Sequence, residues 1–330
     1  MKTKITLAVC LLATFAGTLL WSQPPQGSAQ TTNNPRSKML GRLLRLPSPS
    51  SLAARSAFAK TLSLRTAGVH LYSFVSADFP GAAQSLATGV YAGTTVGQFL
   101  FDPTSSTETT KSFTFSAGTY RIFNVPGASG TQIFSINGNS QIAGLYSDSA
   151  SVSHGFVDTA GTFTTVDYPG ATGTAVTDVS LNGEIVGIWS DGTTSHGFTD
   201  VAGAFNSIDF PGATETQVAG VNSAGDIVGV YSDAASVQHG FTYIGGQYNT
   251  LDPPSSTGTI AFGINDNHVI SGSYSDGSSV DHGFLYSKGV FNTVDVPGAA
   301  ATLFTHINNS NKFAGYYSDP AAETHGLTGH

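Results

Sequence analysis

Between residues 205 and 241 the chain reads FNSIDFPGATETQVAGVNSAGDIVGVYSDAASVQHGF, short apolar runs separated by Gly, Pro, Asn and Ser. None of the runs is long enough for a helix, and the breaks are turn formers, so the pattern predicts strands. Residues 217–222 form the first, stopped by the turn signal Asn222-Ser223-Ala224-Gly225. Residues 226–232 form the second; Ile227, Val228, Val230 and Tyr231 make it apolar on both faces, as suits a strand covered by sheets on either side. Residues 239–244 form the third, Gly245-Gly246 a two-residue hairpin turn, and residues 247–252 the fourth.

This plan recurs along the chain. His-Gly-Phe stands at His154, His196, His239 and His282 and as His-Gly-Leu at His325, spaced by 42, 43, 43 and 43 residues. Asp-x-Pro stands at Asp78, Asp167, Asp209, Asp252 and Asp295, with Asn124 replacing Asp in the remaining copy. Four antiparallel strands per repeat of about 40 to 45 residues describe the blade of a β-propeller. Third strands centre on Phe113, Phe156, Phe198, Phe241, Phe284 and Leu327, which predicts an all-β, six-bladed propeller of four-stranded antiparallel blades. The repeats open on a fourth strand without a third, residues 70–78, and end after the third strand of the last unit. Pairing of the N-terminal strand with the C-terminal blade would close the ring and remove an exposed sheet edge.

The hairpins also predict cross-strand neighbours. With the two-residue turns at Ala160-Gly161, Ala202-Gly203, Gly245-Gly246 and Lys288-Gly289, His154 faces Asp167, His196 faces Asp209, His239 faces Asp252 and His282 faces Asp295. Closure would set His325 opposite Asp78. In the first full unit, which departs most from the repeat, the facing residues are Lys111 and Asn124, so both members change together.

Composition supports this reading: 330 residues, 40% hydrophobic, 10% charged, with 39 glycines. Charge divides the chain. Residues 1–29 read as a secretory signal, with Lys2 and Lys4, an apolar run over 5–20 and Gly27-Ser28-Ala29 as a cleavage site. The only cysteine, Cys10, lies inside it, so the mature chain would have neither disulfides nor cysteine-held zinc. Residues 30–65 carry Arg36, Lys38, Arg42, Arg45, Arg55, Lys60 and Arg65 without an acidic residue, a basic flexible linker or pro-segment, or a contact for an anionic envelope surface. Residues 66–330, the repeat domain, hold all 21 acidic residues against Lys111, Arg121, Lys288 and Lys312, a net charge of −17. Such a domain repels nucleic acid and anionic membranes and attracts cations and basic partners.

The cycle of Ile-Asn or Val-Asn, Gly-x-Ile-Val-Gly, His-Gly-Phe and a hairpin into Asp-x-Pro-Gly-Ala resembles the bacterial extracellular repeats named for their His-Ala-Phe tripeptide, the HAF family, over residues 66–330. The resemblance implies a secreted, propeller-like repeat protein of undefined activity and carries over no catalytic residues.

In a four-stranded blade, the loops between second and third strands share a face with those leaving the fourth. That face would collect the turn aspartates Asp148, Asp191, Asp233, Asp276 and Asp319, the five His-Gly histidines and the Asp-x-Pro aspartates. Carboxylates suit calcium and imidazoles zinc or nickel, but the cross-strand register favours structural His–Asp pairs. No metal or cofactor is therefore expected, calcium being the one cation the carboxylate ring would suit. Gly144, Gly187, Gly229, Gly272 and Gly315, inside second strands, imply tight blade packing, with backbone or a neighbouring sheet approaching closely. Of the residues that break the repeat, His306 takes the first-strand position of Ser135, Ser180, Gly220 and Gly263, where it would face the channel; Arg121, Glu184, Glu215 and His268 also lack counterparts, and the loop 102–111 is longer than its equivalents. Gly-x-Ser-x-Gly, His-Glu-x-x-His and phosphate-loop motifs are absent.

These features predict a secreted or cell-surface, non-catalytic, monomeric binding or scaffold propeller that presents an acidic face to a glycan, a peptide or an envelope component. The competing expectation is a metal-dependent hydrolase or lyase with its site in the channel, which would need two or more converging residues that break the repeat. Export has a direct check. N-terminal sequencing of the protein recovered from medium or envelope should begin near residues 23 to 30, and cytoplasmic protein retaining Met1 would refute it.

Overall fold

The computed structural model describes residues 62–63, 72–102 and 110–330. The expected signal segment, nearly all of the basic stretch, residues 70–71 of the N-terminal strand and 103–109 of the long loop lie outside the described residues. Every regular element described is a strand.

The chain begins with β1 (Leu62–Ser63) and β2 (Ser73–Ser76), followed by β3 (Gln84–Tyr91), β4 (Thr94–Leu100), β5 (Lys111–Ser116) and β6 (Thr119–Phe123). Four antiparallel four-stranded sheets follow in sequence. They comprise β7 (Gly130–Ile136), β8 (Gln141–Ser147), β9 (Ser153–Thr159) and β10 (Thr162–Val166); β11 (Gly173–Val179), β12 (Ile185–Ser190), β13 (Ser195–Val201) and β14 (Ala204–Ile208); β15 (Glu215–Val221), β16 (Ile227–Ser232), β17 (Gln238–Ile244) and β18 (Gln247–Thr250); and β19 (Gly258–Ile264), β20 (Ile270–Ser275), β21 (Asp281–Ser287) and β22 (Val290–Thr293). The chain ends with β23 (Ala301–Ile307), β24 (Phe313–Ser318) and β25 (Thr324–Gly329).

The sheets number five rather than the expected six. β1 to β6 and β23 to β25 form one nine-stranded sheet, because a single parallel bridge, Thr324 to Gln84, joins β25 to β3. Within it β3-β4-β5-β6 is an antiparallel meander. β25 is flanked by β24 and, antiparallel, by β2, with Phe74, Val75 and Ser76 opposite Gly329, Thr328 and Leu327. β2 is shorter than the expected 70–78, and the fourth strands stop before their Asp, where the backbone leaves the ladder for the proline turn.

Side-chain size sets how each sheet packs. Gly144, Gly187, Gly229 and Gly272 of the second strands lie directly opposite Phe156, Phe198, Phe241 and Phe284 of the third, all four rings with 0% exposure. A Cβ on Gly144 would come within 2.8 Å of the Phe156 ring and collide with the carbonyl of Gln132 on its own first strand. The second-strand glycines are thus required by tight packing inside the blade, where backbone and ring approach closely. Contact between blades falls instead on the glycine of His-Gly-Phe: a Cβ on Gly155 would lie 3.0 Å from Val176 of the next sheet, and one on Gly197 2.5 Å from Val218. Each fully buried ring contributes on the order of 1.5–3 kcal/mol of transfer free energy.

Each first strand carries a β-bulge that the alternation of residues did not announce. The inserted residues are Thr88, Phe134, Thr177, Ala219, Phe262 and Thr305. All of them line one central cleft of about 410 Å³, open mouth included, so the first strands converge on an axis in the manner of a β-propeller. The inserted threonines tie neighbouring first strands. Thr88 Oγ1 donates to the Ile133 carbonyl (3.0 Å), Thr177 Oγ1 to that of Val218 (3.0 Å) and Thr305 Oγ1 to that of Ala87 (2.8 Å). One turn further out, Asn265 Nδ2 donates to the Asn308 carbonyl (3.0 Å) and Asn308 Nδ2 to that of Val90 (3.3 Å). The last unit is therefore bonded to β3 by the same groups that join units consecutive in sequence.

Candidate functional site

The pairing that sets Gly against Phe also sets an aromatic ring against each histidine two residues away. Tyr146, Trp189, Tyr231, Tyr274 and Tyr317 lie opposite His154, His196, His239, His282 and His325 and stack on them at centroid distances of 5.1, 4.5, 5.1, 5.2 and 5.0 Å. Each imidazole is held in that stack by the fourth-strand carboxylate. Nδ1 of His154, His196, His239, His282 and His325 lies 2.9, 2.8, 2.7, 2.8 and 3.1 Å from Asp167, Asp209, Asp252, Asp295 and Asp78. A carboxylate only accepts, so Nδ1 donates and Nε2 is left facing outward.

Nε2 meets the turn aspartates. It lies 3.7 Å from Asp148, 3.7 Å from Asp191, 3.5 Å from Asp233, 3.6 Å from Asp276 and 3.8 Å from Asp319 in the respective units. One oxygen of each turn aspartate is committed to its loop: Asp233 Oδ1 accepts from the backbone of Ala235 and Val237 at 2.8 Å. The structure thus gathers five Asp–imidazole–Asp sets on one face. In the first full unit Lys111 stands in place of the histidine, its Nζ 5.0 Å from the centre of the Phe101 ring.

Backbone donors hold the carboxyls of Asp148, Asp191, Asp233 and Asp276 low; the amides of Thr194 and Thr193 bring Asp191 down to about 2. Burial opposes the charge on His239 and His282, but hydrogen bonds and charge from the flanking carboxylates outweigh it and raise both. The outward carboxylate oxygens and imidazole nitrogens are groups that attract protons and cations.

The central cleft is a second candidate. His306 lines it together with Asp178, Thr88, Phe134, Ala219 and Phe262. The bulges correct the sequence alignment here: Asp178, not Ser180, shares the position of Ser135, Gly220, Gly263 and His306. Aligning on Asn137, Asn222, Asn265 and Asn308, whose column Ser180 occupies, would have revealed it. Two residues that break the repeat do converge, but Asp178 is spent on the backbone, its oxygens accepting from Val179 (2.9 Å) and Val221 (3.1 Å). His306 Nδ1 is buried without a hydrogen-bond partner, and desolvation lowers its pKa against the charge of Asp178. Elsewhere, Glu215 accepts from Gln217 (2.8 Å), His268 pairs with Asp226 (2.8 Å), Glu184 is raised by burial, and Arg121 is exposed on β6; none of the four lines the cleft.

No family model matches the chain, and neither does any curated protein. Among solved structures it is similar to TolB from Acinetobacter baumannii, at 10% identity and a TM-score of 0.50 over 73% of this chain and 64% of TolB. It is also similar to a mutant Aleuria aurantia lectin in complex with a fucosylated GlcNAc (9% identity, TM-score 0.48, covering 77% and 93%) and to a catalytically inactive virginiamycin B lyase from Staphylococcus aureus with quinupristin (8%, 0.44, 78% and 99%). The likeness to TolB speaks for the fold alone.

The raised histidines and lowered aspartates give stability a pH dependence. His239 and His282 titrate above their ordinary 6.5 when folded, so their contribution is complete below about pH 6.5 and is lost as pH rises through the raised values. Asp148, Asp191, Asp233 and Asp276 contribute above 3.8 and lose that contribution as pH falls through their lowered values, about 2 for Asp191. Thermal unfolding should therefore be highest between about pH 4 and 6.5 and decline toward pH 8.5, a decline that replacing both His239 and His282 with Gln should flatten. His239→Ala, whose partner Asp252 is 27% exposed, should cost about 1 kcal/mol, more than His196→Ala beside the 48% exposed Asp209. Unfolding curves that do not change with pH would contradict this account.

Proposed function

We propose that this protein is a non-catalytic binding propeller, exported to the cell surface or medium, whose acidic face holds a partner bearing cationic groups, a basic peptide or peptide-bearing envelope component. The observation that carries it is the repetition of the Asp–imidazole–Asp set on one face of a domain with a net charge of −17. Repetition at regular intervals suits a multivalent partner, since several weak charge contacts add through effective concentration. A hydrolase or lyase reading draws on the meeting of Asp178 and His306, but the tied carboxylate and apolar lining of the cleft speak against it. The shared motif cycle leads us to group the chain with the HAF-type repeats.

We further propose that the nine-stranded sheet is two blades, which makes the propeller six-bladed and closed by its N-terminal strand. In support, β23-β24-β25-β2 repeats the strand order of the separate sheets, His325 faces Asp78 as the other histidines face their aspartates, and Thr305 and Asn308 reach β3.

Two experiments test these readings. Closure predicts that removing residues up to 80 lowers stability by about 3 kcal/mol or more, given the buried Phe74, whereas removing residues up to 60 does not; equal stabilities of the two truncations would count against it. For function, full-length protein should be screened against Lys/Arg-rich peptides and neutral glycans at 50 and 300 mM salt. Binding to the basic peptides that weakens severalfold with salt is expected. Salt-independent capture of a neutral glycan, with no peptide bound, would overturn the cationic-partner reading.

A further inference from the structure

The loop between β24 and β25 departs from its counterparts of equal length by one added charge. Four residues after the turn aspartate the other loops of equal length carry Val152, Val237 and Val280, each 37–38% exposed. In the last unit that residue is Glu323. Loop geometry is unchanged: the amide of Glu323 donates to Asp319 Oδ1 at 2.9 Å as that of Val237 does to Asp233 Oδ1 at 2.8 Å, and the preceding Ala322 and Ser236 share a positive φ of 64° and 61°. Ala322 also replaces the serine of the other loops, but Glu323 alone adds a carboxylate, on an unchanged backbone path.

That carboxylate completes a donor set of mixed chemistry. One oxygen each from Asp319 and Glu323 and an imidazole nitrogen of His325 lie within 4.8 Å of one another. Asp78 receives the Nδ1 proton of His325 at 3.1 Å, which fixes the ring and leaves Nε2 as the free donor, 3.8 Å from Asp319 Oδ2. A carboxylate behind a ligating histidine is the usual outer partner in protein metal sites, because it fixes the tautomer and strengthens the nitrogen as a ligand. Two carboxylates and a nitrogen lone pair crowded together repel unless a cation lies among them.

We propose that Asp319, Glu323 and His325 form a three-ligand site for a divalent transition metal, Zn²⁺ being the best match. An imidazole with two carboxylates suits zinc, whereas calcium asks for six to eight oxygens. Three protein ligands leave a coordination position open for water or for a donor group of a bound partner. The site is independent of the cationic-partner reading, since it depends on one unit and not on the repetition.

The test is Zn²⁺ titration of chelator-treated full-length protein, by calorimetry or competition with a chromophoric chelator, comparing variants so that weak binding common to all cancels. The unaltered chain should bind one equivalent more than Glu323→Val, which restores the residue of the other loops and should melt as the parent does. Val237→Glu, which places a carboxylate at the same position beside Asp233 and His239, should gain one equivalent, and a tenfold excess of Ca²⁺ should displace none. The proposal fails if the unaltered chain binds no stoichiometric Zn²⁺, if Glu323→Val keeps the equivalent, or if Val237→Glu gains nothing.

Discussion

Everything in this molecule depends on a match of sizes across two strands, a glycine facing a phenylalanine. Because the second strand has no side chain at that point, the third-strand ring can lie flat on its backbone and be wholly buried. The ring fixes how far the third strand slides along the second, and so fixes what comes two residues earlier on the same side. In each unit from the second onward that residue is a histidine lying against an aromatic ring. A surface site is thus positioned by the core beneath it. The last unit, with Leu327 opposite Gly315, keeps the arrangement with a smaller side chain.

Much of this could be read from the sequence because hairpins are local. A two-residue turn at Gly245-Gly246 determines every partner down the two strands, so His239 and Asp252 could be matched from their distances to the turn alone. The bulges were not legible: residues as different as Thr177, Ala219 and Phe262 fill the inserted position, and an extra residue in a strand buried on both faces breaks no visible alternation. From that gap came the displaced alignment that hid Asp178. Merging of two strand groups through Thr324 and Gln84 was likewise beyond reach, since one bridge between residues far apart in sequence depends on the final geometry of the disc. Glu323 was visible as a letter but had no meaning until the loops were shown to share one backbone path.

The imidazoles are held between two carboxylates without being neutralised by either. One carboxylate accepts the Nδ1 proton at hydrogen-bond distance; the other stands off at 3.5 to 3.8 Å, its nearer obligations being to loop amides. That spacing leaves the outer nitrogen and the outer oxygen open toward each other and, where a third donor is added, room for the metal ion proposed above. Near-identical units can therefore differ in what they hold through one side chain, while the hydrogen bonds that build the blade stay the same.

The junction of β2 and β25 has a consequence for how the molecule is made. Ser73 and His330 exchange backbone hydrogen bonds at 3.1 and 3.3 Å although 257 residues separate them, so β2 emerges from synthesis long before its partner β25 exists. Every other strand pair within a unit joins neighbours in the chain and can form as soon as both are available. Bringing the distant ends together carries the largest loop-closure entropy in the structure, which makes that contact the natural last step of folding and the first place to open on unfolding. Until it forms, β2 presents a bare edge to any other unfinished copy nearby, and β25 becomes the place where exchange of strands between molecules would begin.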